Sequence, residues 1–99
     1  MREEKICPMC KRKYAQARHH LIFGSSLRRL ADEDALYLDI CDDCHNMGKL
    51  TERIHDNPAA EALSKMLGQA IWEMNDIAKG STALEARDHF LERYGQSFL

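Results

Sequence analysis

The chain has 99 residues, 44% hydrophobic and 30% charged, which fits one small globular domain and excludes a disordered polyelectrolyte. No apolar run reaches the ~18–20 residues of a membrane span, and Met1-Arg2-Glu3-Glu4-Lys5 has no apolar leader core, so the expectation is a cytoplasmic protein without a membrane partner. The net charge of −2 is uneven: residues 1–30 carry +6 and residues 31–99 carry −8. The basic end is either a surface for a polyanion or a solvated face.

In chain order, Cys7-Pro8-Met9-Cys10 reads as a tight knuckle. Tyr14 to Phe23 can be extended, Gly24-Ser25-Ser26 is a turn, and Leu27 to Asp34 is either a short helical turn or an irregular loop. Leu36, Leu38 and Ile40 alternate with Tyr37 and Asp39, which predicts a strand running into Cys41-Asp42-Asp43-Cys44. A helix is expected after Cys44, its extent blurred by Gly48. Asn57-Pro58 marks a second helix start, cap then first turn. Leu63, Met66, Leu67, Ala70, Ile71, Met74, Ile77 and Ala78 then keep helical spacing to a stop near Gly80. The spacing places Met66, Trp72 and Met74 in the core. Thr82 to Glu85 fits a capping box, and Leu84, Phe90, Leu91 and Tyr94 give a last helix its apolar face before Gly95. Residues 1–56 form a knuckle–strand–strand–knuckle core and residues 57–99 a two-helix extension, within a single domain.

Cys7/Cys10 and Cys41/Cys44 share the Cys-x-x-Cys spacing that aims two thiolates at one ion, and four thiolates satisfy tetrahedral zinc. Zinc would staple a core too small to hold itself. A redox role for the thiols is the weaker reading, because it needs no second pair and the chain lacks a parallel βαβ pattern. His19-His20 are adjacent on an extended segment, so their side chains point apart and can serve different roles. His45 follows Cys44, so the second knuckle fixes its position. His89 has no partner at useful spacing and reads as structural.

Cys7-Pro-Met-Cys10, Arg18-His19-His20-Leu21 and Leu38-Asp-Ile-Cys41-Asp-Asp-Cys44-His45 together resemble the HNH endonucleases with a ββα-metal fold and a four-cysteine zinc. His19 to Gly24, Ile54-His55, Gln69 to Glu73 and Phe90 to Gly95 look like small HNH proteins encoded by phages and prophages. The resemblance implies an α+β fold: a small ββα-metal core, a four-cysteine zinc knuckle pair and a helical extension. It implies a metal-dependent DNA endonuclease in a bacterial host's cytoplasm, acting alone or beside other phage proteins. His19 and His45 would hold the catalytic divalent metal, His20 would be the general base, and Cys7, Cys10, Cys41 and Cys44 would hold structural zinc outside the chemistry. Imidazole suits a base near neutral pH. Mg²⁺, Mn²⁺, Ni²⁺ and Zn²⁺ remain open as the catalytic ion. Arg18, Arg28, Arg29, Lys11 and Lys13 would contact DNA phosphates, with the salt dependence that entails.

Two positions depart from the family pattern. Its middle Asn is replaced by Asp34-Ala35-Leu36-Tyr37, so Asp34 or a backbone carbonyl would orient the base. Lys49 stands where some members have a later ligand, and His55 would supply it if residues 48–53 loop back; otherwise His55 is a capping or surface histidine. The alternative function is a zinc-stabilised nucleic-acid- or protein-binding module without turnover. A homodimer would complete burial of the helical extension if the core is too small for both apolar faces.

Overall fold

The computed structural model describes residues 5–99; Arg2, Glu3 and Glu4 of the N-terminal charge count lie outside it. The elements run β1 (Ala17–His20), α1 (Leu27–Glu33), β2 (Tyr37–Ile40), a π-helical turn (Asp43–Met47), α2 (Pro58–Ala78) and α3 (Ala83–Tyr94). This is an α+β arrangement with a two-stranded antiparallel sheet. Within Tyr14 to Phe23, strand structure is confined to the four residues ending at His20, and Tyr14 forms only an isolated bridge with Ile6. Leu27 to Glu33 is a helix, which folds the interval between strands back on itself.

The sheet register is Ala17↔Ile40, Arg18↔Asp39, His19↔Leu38 and His20↔Tyr37. Alternation therefore puts Ala17, His19, Leu38 and Ile40 on one face and Arg18, His20, Tyr37 and Asp39 on the other. The first face is the inner one: His19 and Ile40 are buried. The outer face carries the polar pairs, with Arg18 3.7 Å from Asp39 and stacked 3.9 Å from the Tyr37 ring centre.

The π-helical turn follows from the second knuckle. Gly48 N donates to Asp43 O at 3.0 Å, and a Cβ on Gly48 would lie 2.4 Å from that oxygen, so only glycine closes the turn. Asn57 Oδ1 accepts from Ala60 N at 3.3 Å and opens α2, with Pro58 in its first turn. Thr82 and Glu85 form both bonds of the capping box at the start of α3, and Gly95 ends it in the left-handed region.

Two buried clusters hold the chain. Leu21, Ile22, Ala31, Leu36, Phe90 and Tyr94 join the sheet end to α3, while Cys7, Ile40, Cys41, Cys44 and Ile54 surround the knuckles. Leu38 packs against both. The orientation of α2 corrects the sequence reading. Ser64, Gly68, Gln69 and Glu73 are its buried residues, and Met66 and Met74 are exposed together with Leu63, Leu67 and Ile77. Leu84 and Leu91 of α3 are exposed as well. The cause is space: α2 meets the sheet end through Gly68, where a Cβ would come within 2.7 Å of Ile22 Cγ1, and among the described residues no further layer covers the opposite stripe. Trp72 does pack inward, edge-on to Phe90 with ring centres 5.5 Å apart. No helix among the described residues is long and apolar enough to cross a membrane.

Candidate metal centres

The four cysteines converge. Their sulfur atoms all lie within 4.8 Å of one another, and none is in a disulfide. Cys10 Sγ and Cys41 Sγ are 3.7 Å apart. A tetrahedron with metal–sulfur bonds of ~2.3 Å has an edge of about 3.8 Å, so this spacing suits an ion such as zinc. The knuckle backbone prepares the anionic form. Amides of Arg12 and Lys13 lower Cys10 to about 6. At Cys7 burial pushes the thiol up, but amides of Cys10, Cys41 and Met9 outweigh it and the net direction is down. Burial raises Cys44, whose proton an ion would have to displace. Cys7 N bonds Lys13 O at 2.8 Å and Lys11 N bonds Cys7 O at 2.9 Å, which closes the first knuckle.

A second convergence lies at the other end of β1. Ligand nitrogens of His19, His45 and His55 all fall within 4.8 Å of one another, and the Nε2 atoms of His45 and His55 are 3.0 Å apart. Three elements supply them: β1, the π-helical turn, and the loop before α2. His55 comes within reach because the loop turns back, with Ile54 N on Cys44 O at 2.8 Å and His55 N on His45 O at 3.1 Å. Arg53 ties that loop by donating to Gly48 O, His55 O and Asp56 Oδ2. Glu61 Oε2 stands 3.6 Å behind His55 Nδ1.

His19 shows most clearly what this cluster can do. It is 1% exposed. Its Nε2 lies 2.8 Å from Ser64 Oγ, and the Ser64 hydroxyl donates its single proton to Leu21 O, also at 2.8 Å. Ser64 must therefore accept from His19, which puts the ring proton on Nε2 and leaves Nδ1 a bare lone pair. Nδ1 is the one buried side-chain polar atom without a partner among the described residues. An orphan acceptor on a ring whose centre stands 5.4 and 5.2 Å from two further imidazoles is an arrangement an ion would satisfy. Burial, then the neighbouring imidazoles, lower His19 to about 4, so its ring is neutral near pH 7. Burial likewise lowers His45.

His20 points the other way, off the outer face of β1. Its Nε2 is 2.9 Å from Asp32 Oδ1 on α1. A carboxylate accepts only, so Nε2 carries the proton and Nδ1 is left as the acceptor. Asp34 does not orient this ring. It takes Arg93 through both oxygens, at 2.7 and 2.8 Å, with Tyr94 Oη at 2.7 Å and Trp72 Nε1 at 3.0 Å. A helix over Leu27–Glu33 turns Asp32 toward the sheet and Asp34 toward α3, and the sequence alone left that helix open.

A depression of about 440 Å³ is lined by Arg18, His20, Phe23, Gly24, Ser25, Arg28, His45 and His55. Of the five basic residues singled out from the sequence, Arg18 and Arg28 border it. Arg18 also stands 3.9 Å from Asp32. Arg29 borders an adjoining shallow recess with His20 and Asp32, and lies 3.9 Å from Glu33. Lys13 lines a separate recess over the cysteines, where it pairs with Asp43, and Lys11 belongs to that same knuckle. His89 pairs with Asp76 at 2.7 Å on the α2–α3 surface. Asp32, Ser64 and Arg53 were not singled out from the sequence; each acts through a fold contact between segments that no local motif records. Compared with known proteins, the chain matches no family model, no curated protein and no solved structure.

Proposed function

We propose that the protein is a metal-dependent DNA endonuclease with an HNH-like ββα site, stabilised by structural zinc at Cys7, Cys10, Cys41 and Cys44. The observation that carries this reading is the convergence of ring nitrogens of His19, His45 and His55, with a buried, unpartnered Nδ1 on His19 and with His20 on the opposite face of the same strand. A divalent ion held by His19, His45 and His55 would supply electrostatic stabilisation of charge developing on a phosphoryl group. His20 is the general base: Asp32 fixes its tautomer, and Nδ1 takes the proton from the attacking water. Asp32 thus does the orienting that the family's missing Asn would do. Arg28, which borders the depression beside His20 and His45, binds a phosphate oxygen and holds the backbone in place. Phe23, against the His55 ring at 4.9 Å between centres, forms an apolar part of the depression's wall beside the cluster. The open mouth of the depression suits a polymer, which must enter and leave sideways.

The test is nicking of supercoiled plasmid with Mg²⁺, Mn²⁺, Ni²⁺ or Zn²⁺ added singly. The wild-type chain is expected to nick with at least one ion. His20→Ala is expected to lower the rate ~10²–10⁴-fold while helix content and the cysteine-bound metal persist. Ser64→Ala, which frees the His19 ring to change tautomer, is expected to weaken Ni²⁺ binding ~10–100-fold in a calorimetric titration. A folded, zinc-loaded chain that nicks with none of the four ions overturns the nuclease reading, and DNA retention in that sample would establish a binding module instead.

A further inference from the structure

We propose that the outward apolar stripe of α2 is the contact surface for a second copy of this chain, which lays its own α2 against it end for end. Leu63, Leu67, Ala70, Met74 and Ile77 follow one another at steps of four, three, four and three residues, the spacing of a paired-helix seam, and they run along the middle of the apolar face that Met66, Ile71 and Ala78 widen. The structure turns this seam outward: Leu63 is 64% exposed, Leu67 49%, Met74 67% and Ile77 43%.

The rest of α2 is already engaged. Ser64 holds His19, Gly68 meets Ile22, and Gln69 and Glu73 bond each other and the α3 side. The charged residues beside the seam point away from it: Glu61 reaches His55, Lys65 lies over Phe23, and Asp76 bonds His89. The seam itself carries no charge over five layers, so it cannot take a polyanion. What fits is a surface equally apolar and uncharged, and the chain's own seam is one.

The stripe is wider than α2 alone. Arg87 of α3 reaches Glu73 at 2.8 Å, and Leu84 and Leu91 flank Arg87 along α3 as Ala70 and Ile77 flank Glu73 along α2. With Met66, Leu84 and Leu91 included, the exposed fractions amount to about four fully exposed aliphatic side chains. At roughly 100 Å² each that is about 400 Å² of apolar surface per copy. A stable pair buries about 800 Å² per partner, of which somewhat over half is apolar. The stripe therefore supplies most of the apolar share such an interface requires, with the polar rim drawn from its flanks.

Ala70 sets the geometry. It is the smallest layer, and the seam reads nearly alike in both directions from it, so a two-fold axis there stacks Ala70 on its copy, Leu67 on Met74 and Leu63 on Ile77. The end-for-end arrangement also opposes the two helix dipoles.

The experiment is sedimentation velocity on the full, zinc-loaded chain over a concentration series. Wild type is expected to sediment at twice the chain mass at micromolar concentration. Leu67→Glu is expected to weaken the pair at least ~100-fold with helix content and zinc unchanged. Adding Met74→Lys is expected to restore it, because each Glu then faces a Lys of the copy. A wild type that stays monomeric throughout, a pair indifferent to Leu67→Glu, or a double variant that stays monomeric would each overturn the proposal. A monomer that instead captures a different protein through the same stripe also overturns it, since the occupant is then not a second copy.

Discussion

Asp34 receives four hydrogen bonds from three side chains, two of them from Arg93, and its carboxylate is only 17% exposed. Burial works against its charge, but the bonds from Arg93, Tyr94 and Trp72 outweigh burial and hold it below the ordinary carboxylate range. The sign follows: this stabilisation is complete above the unfolded value near ~4 and is lost as pH falls through that value toward the folded one. Asp34→Asn is expected to cost about 2 kcal/mol at neutral pH, because Arg93 loses its bidentate carboxylate and keeps only Glu33 at 3.7 Å. It is also expected to flatten the fall in thermal midpoint as pH drops below about 5, which a melting series at stepped pH would show. Asp32 and Asp34, two residues apart, look alike in the sequence. Only the helical turn between the strands decides that Asp32 reaches His20 while Asp34 reaches α3. The four cysteines were legible because their paired spacing announces them, whereas His19 and His45 were singled out through the family resemblance and His55 only on condition that residues 48–53 loop back. Ser64 was not legible, since a serine on a helix becomes informative only once His19, 45 residues earlier, is seen against it.

α2 shows how far element-level reading goes. Asn57-Pro58 at its start, and the capping box and Gly95 around α3, are local signals, and the helices begin and end near them. Which face turns inward is not local. Periodicity marks the Leu63–Ile77 stripe as the most apolar, yet the helix docks through Ser64 and Gly68. A glycine permits an approach to Ile22 that no leucine could make, and a serine answers a buried imidazole that a methionine would leave stranded. Gly68→Ala is therefore expected to destabilise by about 1–3 kcal/mol through the clash with Ile22 Cγ1 and Leu21 Cβ. It should do so even though alanine favours a helix by about 1 kcal/mol over glycine. A urea midpoint comparison checks it; an unchanged or raised midpoint would mean that α2 docks elsewhere.

At the scale of the whole molecule, neither buried cluster is large, and the one around the knuckles consists mostly of the cysteines themselves. A bound metal there would contribute more than packing could. Apparent binding energies of about 10–16 kcal/mol for small structural zinc sites are as large as the whole ~5–15 kcal/mol that holds a domain of this size. Stripping the metal with a strong chelator is expected to abolish the near-ultraviolet circular dichroism of Tyr14 and Tyr37 while α2 and α3 keep part of their helical signal. A chain that keeps its full tertiary spectrum without metal would show that packing alone suffices. The Ser64 hydroxyl joins the sheet to the helical extension by one bond to His19 and one to Leu21. Thermodynamic reciprocity gives that small joint a large reach. An ion that favours the His19 tautomer imposed by α2 must, by the same free energy, favour α2 staying docked. Were such an ion bound, the helical extension would be a partner in its affinity, and metal concentration would set how firmly the extension is held.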